Sequence, residues 1–356
     1  MSRIFTRSPY IVEINETGQV STRVELYIWN NDITEPTSPQ YVLSKEIPAS
    51  NLPSTTYNIS SYIREYISFN EFDFTTVQGQ PANNQQWANV RVKAFYTNAL
   101  NEFELSDTLY KAFDGFGTYE DGYNPDLGNI LLDEGTYYYK ELEPLASTSA
   151  RDNFSGRFTV EGEIGDKVRF TDLNTGATVS FTVGLSGVLN YNNVYTLYRD
   201  NGNKVEYLQG GTTVTWTGYF KPTCEKKYTP VYIDFVNNHG AWSRLFMFKT
   251  SKEKFSITSN DYNLMQSDLV NYSVLEGQRK QFNVNGQESI KTNSGWVSDG
   301  FGNQIKQLLV SERILVNNRP AKCMTTSLDI QKGINDNTMS YALDFQFNND
   351  YINSVV

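Results

Sequence analysis

Polar and apolar residues alternate with a period of two along most of this chain. Thr22, Val24, Leu26 and Ile28 fall on one side of such a run, and Arg23, Glu25, Tyr27 and Trp29 on the other. The same pattern sets Val90, Val92, Ala94 and Tyr96 against Asn89, Arg91, Lys93 and Phe95. Side chains along a strand point to opposite faces in turn, so each run predicts a strand with one face towards a core. Turns rich in Asn, Asp, Pro and Gly separate the runs. Two short stretches follow a helical period instead. One is Ile59, Tyr62, Ile63, Tyr66 and Ile67, with Asn58 or Ser60 as its cap; the other is Ile305, Leu308 and Leu309, after Gly302. The expected fold class is therefore all-β and mainly antiparallel, with helix confined to the neighbourhood of 59–68 and 302–312.

Several hairpins are written into the chain. Val168 and Phe170 lead into Asn174, Thr175 and Gly176, and Val179, Phe181 and Val183 follow, a turn with both its strands. Asn201-Gly202, inside Arg199 to Lys204, predicts a tight hairpin whose two central residues take positive φ. Val231, Ile233 and Phe235 run into Asn237, Asn238, His239 and Gly240, with Trp242, Leu245 and Phe246 to Phe248 beyond, which places His239 in a turn. Ile314 to Val316 with Asn317-Asn318 predicts a returning hairpin, and Tyr341, Leu343, Phe345 and Phe347 share one face of a closing strand.

A length of 356 residues suits two or three domains at about 100–200 residues each. Residues 1–117 resemble an immunoglobulin- or fibronectin-like β-sandwich. Residues 118–150 read as a tyrosine-rich connector. Residues 151–220 read as a small inserted β domain of local hairpins, expected to be separable, and 221–356 as a C-terminal β domain with a short helix.

Composition narrows the chemistry. The chain has 24 Tyr and 21 Phe but one His and two Cys, so it lacks most side chains that transfer protons, bind metals or attack substrates near neutral pH. Cys224 and Cys323 have no CxxC spacing and read as buried free thiols rather than a zinc site. Glu120, Asp121, Asn124 and Asp126 crowd oxygens around Gly122 and Pro125. Their spacing is not that of a calcium loop, so a solvated turn is expected. Asp-Gly-Phe-Gly occurs at Asp114 to Gly117 and again at Asp299 to Gly302, without a phosphate-loop signature, and reads as two similar turns at strand ends. Tyr137, Tyr138 and Tyr139 suit either a protein interface or a two-faced strand. No catalytic, cofactor-binding or metal-binding residue is expected.

The net charge of −10 is uneven. Residues 1–150 hold 9 Lys/Arg and 20 Asp/Glu, giving −11; residues 151–356 hold 21 and 20, giving +1. No basic stripe accompanies the aromatics, so direct nucleic-acid binding is not expected. The acidic part suits solubility or docking onto a basic neighbour. No stretch approaches the ~20 apolar residues of a membrane span, and Ser8 to Ile14 is too short and polar for an export signal.

Ser8-Pro9-Tyr10, the segment Cys224 to Pro230 leading into Val231 to Phe248, Asn293 to Val297, and Gln307 to Glu312 together resemble virion structural proteins of tailed bacteriophages infecting Bacteroidetes, the crAss-like group included. The resemblance covers the first and third regions and leaves the second as an insertion. It implies a non-enzymatic neck or tail component that assembles in the host cytoplasm as repeated copies, self-associating in a ring and docking other virion proteins. It also implies chain ends ordered by neighbours in the particle. Two other readings stay open: a glycan-binding or adhesive β-sandwich, whose exposed Trp and Tyr would stack on sugars, and a glycoside hydrolase working with two carboxylates.

Overall fold

A computed structural model describes residues 2–30, 34–47, 54–68, 80–81, 86–99, 101–128, 130–140, 157–184, 186–192, 201–223, 227–263, 275, 277–298, 300–328 and 338–353. Cys224, Asp299 and the extreme chain ends lie outside them. The described chain is mostly strand, in several largely antiparallel sheets, with two α-helices.

The first region supplies β1 (Ser2–Phe5), β2 (Ile11–Ile14), β3 (Ser21–Trp29), β4 (Tyr41–Glu46), β5 (Thr55–Asn58), α1 (Ser60–Arg64), β6 (Gln80–Pro81), β7 (Trp87–Thr97) and β8 (Glu102–Phe113). Five of these strands form one sheet in the order β1-β8-β7-β3-β4, with β1 parallel to β8. β3 and β7 run antiparallel with Leu26 opposite Val92 and Ile28 opposite Val90, so the apolar sets of both alternating runs share a face. That face is closed off by the β2–β5 pair and by Ile59 and Ile63 of the α1 segment. Asn58 acts just before α1: its Oδ1 accepts Ser60 N at 3.3 Å and Ser60 Oγ at 2.8 Å. The helix is shorter than the periodicity suggests, because a turn takes over after Arg64.

The second region contains β9 (Gly135–Lys140), β10 (Arg157–Gly162), β11 (Lys167–Asp172), β12 (Thr178–Thr182), β13 (Gly187–Asn192), β14 (Asn203–Gln209) and β15 (Thr213–Thr223). They form sheets in the orders β12-β11-β14-β15-β9 and β10-β13-β6. The β11–β12 hairpin is as expected, with Phe170 opposite Val179. Asn201-Gly202 is not. Arg199 and Asp200 of the expected turn lie outside the described residues; β14, which follows the dipeptide, has β11 on one side and β15 on the other, so neither of its ladder partners is the chain just before Asn201. Gly202 takes positive φ, at 85°. It lies so close to the Phe220 carbonyl that no Cβ could fit, and its own carbonyl accepts Leu173 N at 3.1 Å. The sheets also reach beyond 151–220 on both sides. β9, from the connector, lies parallel to β15 with Tyr137 opposite Phe220, and β6, from the first region, pairs with β13.

The third region holds β16 (Val231–Val236), β17 (Trp242–Met247), β18 (Lys252–Asn263), β19 (Arg279–Ser298), α2 (Phe301–Val310), β20 (Ile314–Val316), β21 (Arg319–Cys323) and β22 (Thr338–Asp350). Seven strands form one sheet, ordered β17-β16-β20-β21-β22-β19-β18. Asn317 and Asn318 take φ of 49° and 62° and close the β20–β21 hairpin, the tight turn their sequence predicts. Phe301, Ile305 and Leu308 of α2 pack with Tyr341, Leu343, Phe345 and Phe347 of β22 in the core of this region.

Candidate functional site: a buried junction and an exposed ribbon

The β16–β17 hairpin joins the three regions. β17 is apolar on both faces, and every residue of it is buried. Leu245 and Met247 face the third region's core with Ile233. On the other side Trp242 enters the first region's core with Val236, while Phe246 and Phe248 complete the second region's core beside Tyr137, Tyr139 and Phe220. Residues 151–220 therefore do not enclose their core alone. Between these aromatic anchors, Asp234 and Arg244 stand opposite each other in the ladder and meet through two hydrogen bonds of 2.6 and 2.8 Å. Both are buried, so removing either partner would leave a charge uncompensated.

The turn of this hairpin is a second fastening. Asn237 Nδ2 donates to Leu131 O and Ser243 Oγ, both at 2.8 Å, and its Oδ1 accepts His239 N and Ala241 N, both at 3.0 Å. Phe116 N donates to Asn238 O at 2.7 Å, so the first Asp-Gly-Phe-Gly segment lies backbone to backbone against the turn. Two glycines permit that approach. A Cβ on Gly240, at φ +77°, would lie 2.7 Å from Asp114 N, and one on Gly115 would lie 2.8 Å from the His239 carbonyl carbon. Asp114 in turn accepts Arg64 Nε at 2.9 Å.

His239 sits in the expected turn, yet its side chain is buried. Nε2 is 2.8 Å from Asp133 Oδ1, and Asp133 Oδ2 accepts the Gln307 amide. Burial alone would raise the Asp133 pKa; hydrogen bonds from His239, Gln307 and Asn238 and the charge interaction with His239 outweigh it and hold the carboxyl below its ordinary range. This cluster links the connector, the hairpin turn and α2. Beside it, Phe5, Trp87, Phe113, Leu131, Val188 and Ala241 form a small core drawn from all regions. Glu161 of β10 completes the junction, accepting Arg3 Nε at 2.6 Å and lying 2.7 Å from Lys111 Nζ, with all three side chains buried.

Three of the four side chains singled out between 120 and 126 bond to backbone. Asp121 accepts Thr118 N at 2.6 Å, Asn124 pairs with both N and O of Ile11, and Asp126 accepts Gly128 N at 3.1 Å. No group of three or more His, Cys, Asp or Glu side chains is placed to hold a metal among the described residues. Cys323 is half-buried, and burial pushes its thiol pKa up. Tyr137 and Tyr139 enter the second core, whereas Tyr138 points the other way, its hydroxyl accepting Ser298 N at 3.2 Å. The two-faced strand accounts for the tyrosine run.

The β18–β19 ribbon is the opposite of the junction. It pairs from Lys252 with Lys291 to Asn263 with Arg279, and all of β18 except the partly exposed Ser256 is exposed. Phe255, Ile257, Tyr262, Phe282 and Val284 are among its exposed residues; Ile257 is 66 % accessible. The C-terminal chain meets β19 at Asn285 and Gly286, through Ile352 N and Tyr351 N. Among the described residues, Arg279–Val284 pairs with β18 alone, and the outer edge of β18 has no strand partner. A second open edge lies on β8. β1 pairs with Tyr110–Phe113, and among the described residues no strand lies on the outer side of the exposed Glu102–Asp107 segment.

No described helix is long and apolar enough to cross a membrane. No protein-family model, no curated protein and no solved structure matches this chain.

Proposed function

We propose that this chain is a non-enzymatic structural component of a bacteriophage virion, a tail or neck protein that assembles as repeated copies and docks other virion proteins. The observation that carries the proposal is the β18–β19 ribbon, whose distal half is a two-stranded element exposed on both faces and bearing apolar side chains. An isolated two-stranded ribbon is marginal in water and gains stability from a partner surface. The junction supports the same reading, because a part that transmits contacts between neighbours needs its regions fastened to one another. The His239–Asp133 pair is used in that fastening. The strand order β1-β8-β7-β3-β4 facing β2–β5 supports taking the first region as an immunoglobulin- or fibronectin-type sandwich.

Mass photometry of the purified full chain, followed by imaging of assembled particles, tests the proposal. It expects repeated copies whose contacts each bury more than about 1,000 Å². A chain that stays monomeric and touches its neighbours in the particle only through small, wet contacts would overturn it. A glycan-binding surface is the second reading, favoured by Trp296, whose side chain is 72 % exposed in β19. Retention on a glycan array that Trp296→Ala abolishes would favour that alternative.

A further inference from the structure

We infer that the β18–β19 ribbon of one copy docks head to tail on the open β8 edge of a second copy of this chain. The inference rests on the self-association proposed above and names the two surfaces that meet. Both are edges without a strand partner among the described residues, and both are exposed. The β18 edge pairs without a register shift over Lys252–Thr258, and the open β8 edge runs over Glu102–Thr108 with one bulge at Leu105, so each offers a short stretch for strand addition.

Their charges are complementary. The ribbon segments 252–263 and 279–291 carry Lys252, Lys254, Arg279, Lys280 and Lys291 against Glu253, Asp261 and Glu288, a net +2. The β8 segment 102–108 carries Glu102, Glu104 and Asp107; Arg23 pairs with Glu102 and both Arg91 and Lys93 with Asp107, and with Glu25 and Glu35, the other partners of the two arginines, five carboxylates face three cations and the edge keeps a net −2. Their apolar residues correspond as well. Phe255, edge-on to Tyr351, and Ile257 alternate with Lys254 and Ser256 on β18, and Phe103 and Leu105 flank Glu104 on β8, with Leu105 at the bulge; all four apolar side chains are exposed. Lysines alone on an edge strand are a common guard against unwanted pairing. A guarded edge does not also need an exposed Phe and Ile, which an interface does.

The two edges belong to different sheets of the same chain, so the contact is between unlike surfaces. Such contacts repeat from copy to copy and close into a ring when the rotation allows, or extend as a filament when it does not. Opposite charges would orient the approach, and the paired backbone and apolar side chains would hold it.

Charge reversal with rescue tests the inference, using the full chain and sedimentation velocity. Lys252→Glu with Lys254→Glu changes the ribbon, and Glu102→Lys with Glu104→Lys changes the edge. All four positions are exposed, and unaltered melting checks the fold. Each pair alone should weaken association about tenfold or more, and the chain carrying both pairs should recover most of it. Ile257→Ser and Leu105→Ser give a second, charge-independent readout and should each weaken association without rescue. If the native chain associates but these changes leave it unaffected, the interface lies elsewhere and this inference falls while self-association stands. If the native chain is monomeric at every accessible concentration, both fall together.

Discussion

Two antiparallel pairs follow one another in the third region and lie at opposite ends of one seven-stranded sheet. In β16–β17 almost every side chain is buried, and in β18 almost none is. Both are antiparallel ladders, unbroken in β16–β17 and with one register shift at Thr258–Asn260 in β18–β19, so pairing alone does not explain the contrast. Composition of the two faces does. β17 places Trp242 and Phe246 on one side and Leu245 and Met247 on the other, so both faces find a core. β18 sets Lys252 and Lys254 on one face and Glu253, Phe255 and Ile257 on the other; Phe255 meets Tyr351 edge-on, yet both apolar side chains stay exposed. One hairpin became the fastening of the molecule, and the other stands outside it as a surface for something else.

The sharpest way to break this comparison is to remove an aromatic anchor from the hairpin. Phe246→Ala deletes a fully buried ring at the meeting of the second and third regions and should cost about 3–5 kcal/mol in denaturant unfolding. A cost below about 1 kcal/mol would mean that the second region closes its core without the hairpin.

Gly240→Ala comes next. It places a Cβ 2.7 Å from Asp114 N at a residue with φ of +77°, and neither backbone can yield without separating the turn from the first region. The expected loss is about 2 kcal/mol or more, read from the shift of the melting midpoint.

Asp133→Asn is a smaller change with a pH signature. Asp133 has a folded pKa below its ordinary value of 3.8. Its contribution is therefore present above the unfolded pKa and lost as pH falls through the folded one. Because the side chain is 37 % exposed, the expected cost at pH 7 is discounted to about 1 kcal/mol. Native and variant melting curves should differ at neutral pH and converge as pH falls through the folded pKa, which lies below 3.8. A difference that grew on acidification would have the wrong sign.

The least effect on stability is expected from Ile257→Ser. The residue touches mostly solvent in the single chain, so the change should stay within about 0.5 kcal/mol. A much larger loss would show that the ribbon is held by the chain itself.

Much of the fold is legible in the sequence where neighbours along the chain decide it. The alternation of Thr22 to Trp29 and of Asn89 to Tyr96 gives two strands and their buried face. Asn317-Asn318 and the 172–177 segment give their turns, since a tight turn fixes its own φ values. Partners far apart in sequence were not legible. Asn201-Gly202 carries a hairpin signal, but both sides of β14 are taken by β11 and β15, and Phe170, Tyr207 and Phe220 of these three strands share one core. His239 shows nothing of Asp133, which is 106 residues away, and Arg3 nothing of Glu161, 158 residues on. The tyrosine run had a face pattern but no partner until β9 met β15. The open ribbon edge depends on sheet order, which no local pattern encodes.

Native-state hydrogen exchange, resolved by segment in the isolated full chain, tests the central contrast most directly. Amides of Val231–Val236 and Trp242–Met247 should exchange only through global unfolding, at one free energy shared with the cores of all three regions. Amides of Asn260–Asn263 and Arg279–Val284 should exchange through local opening at a much lower free energy. Equal protection in the hairpin and the ribbon, or a separate and earlier unfolding of 157–223, would contradict the account.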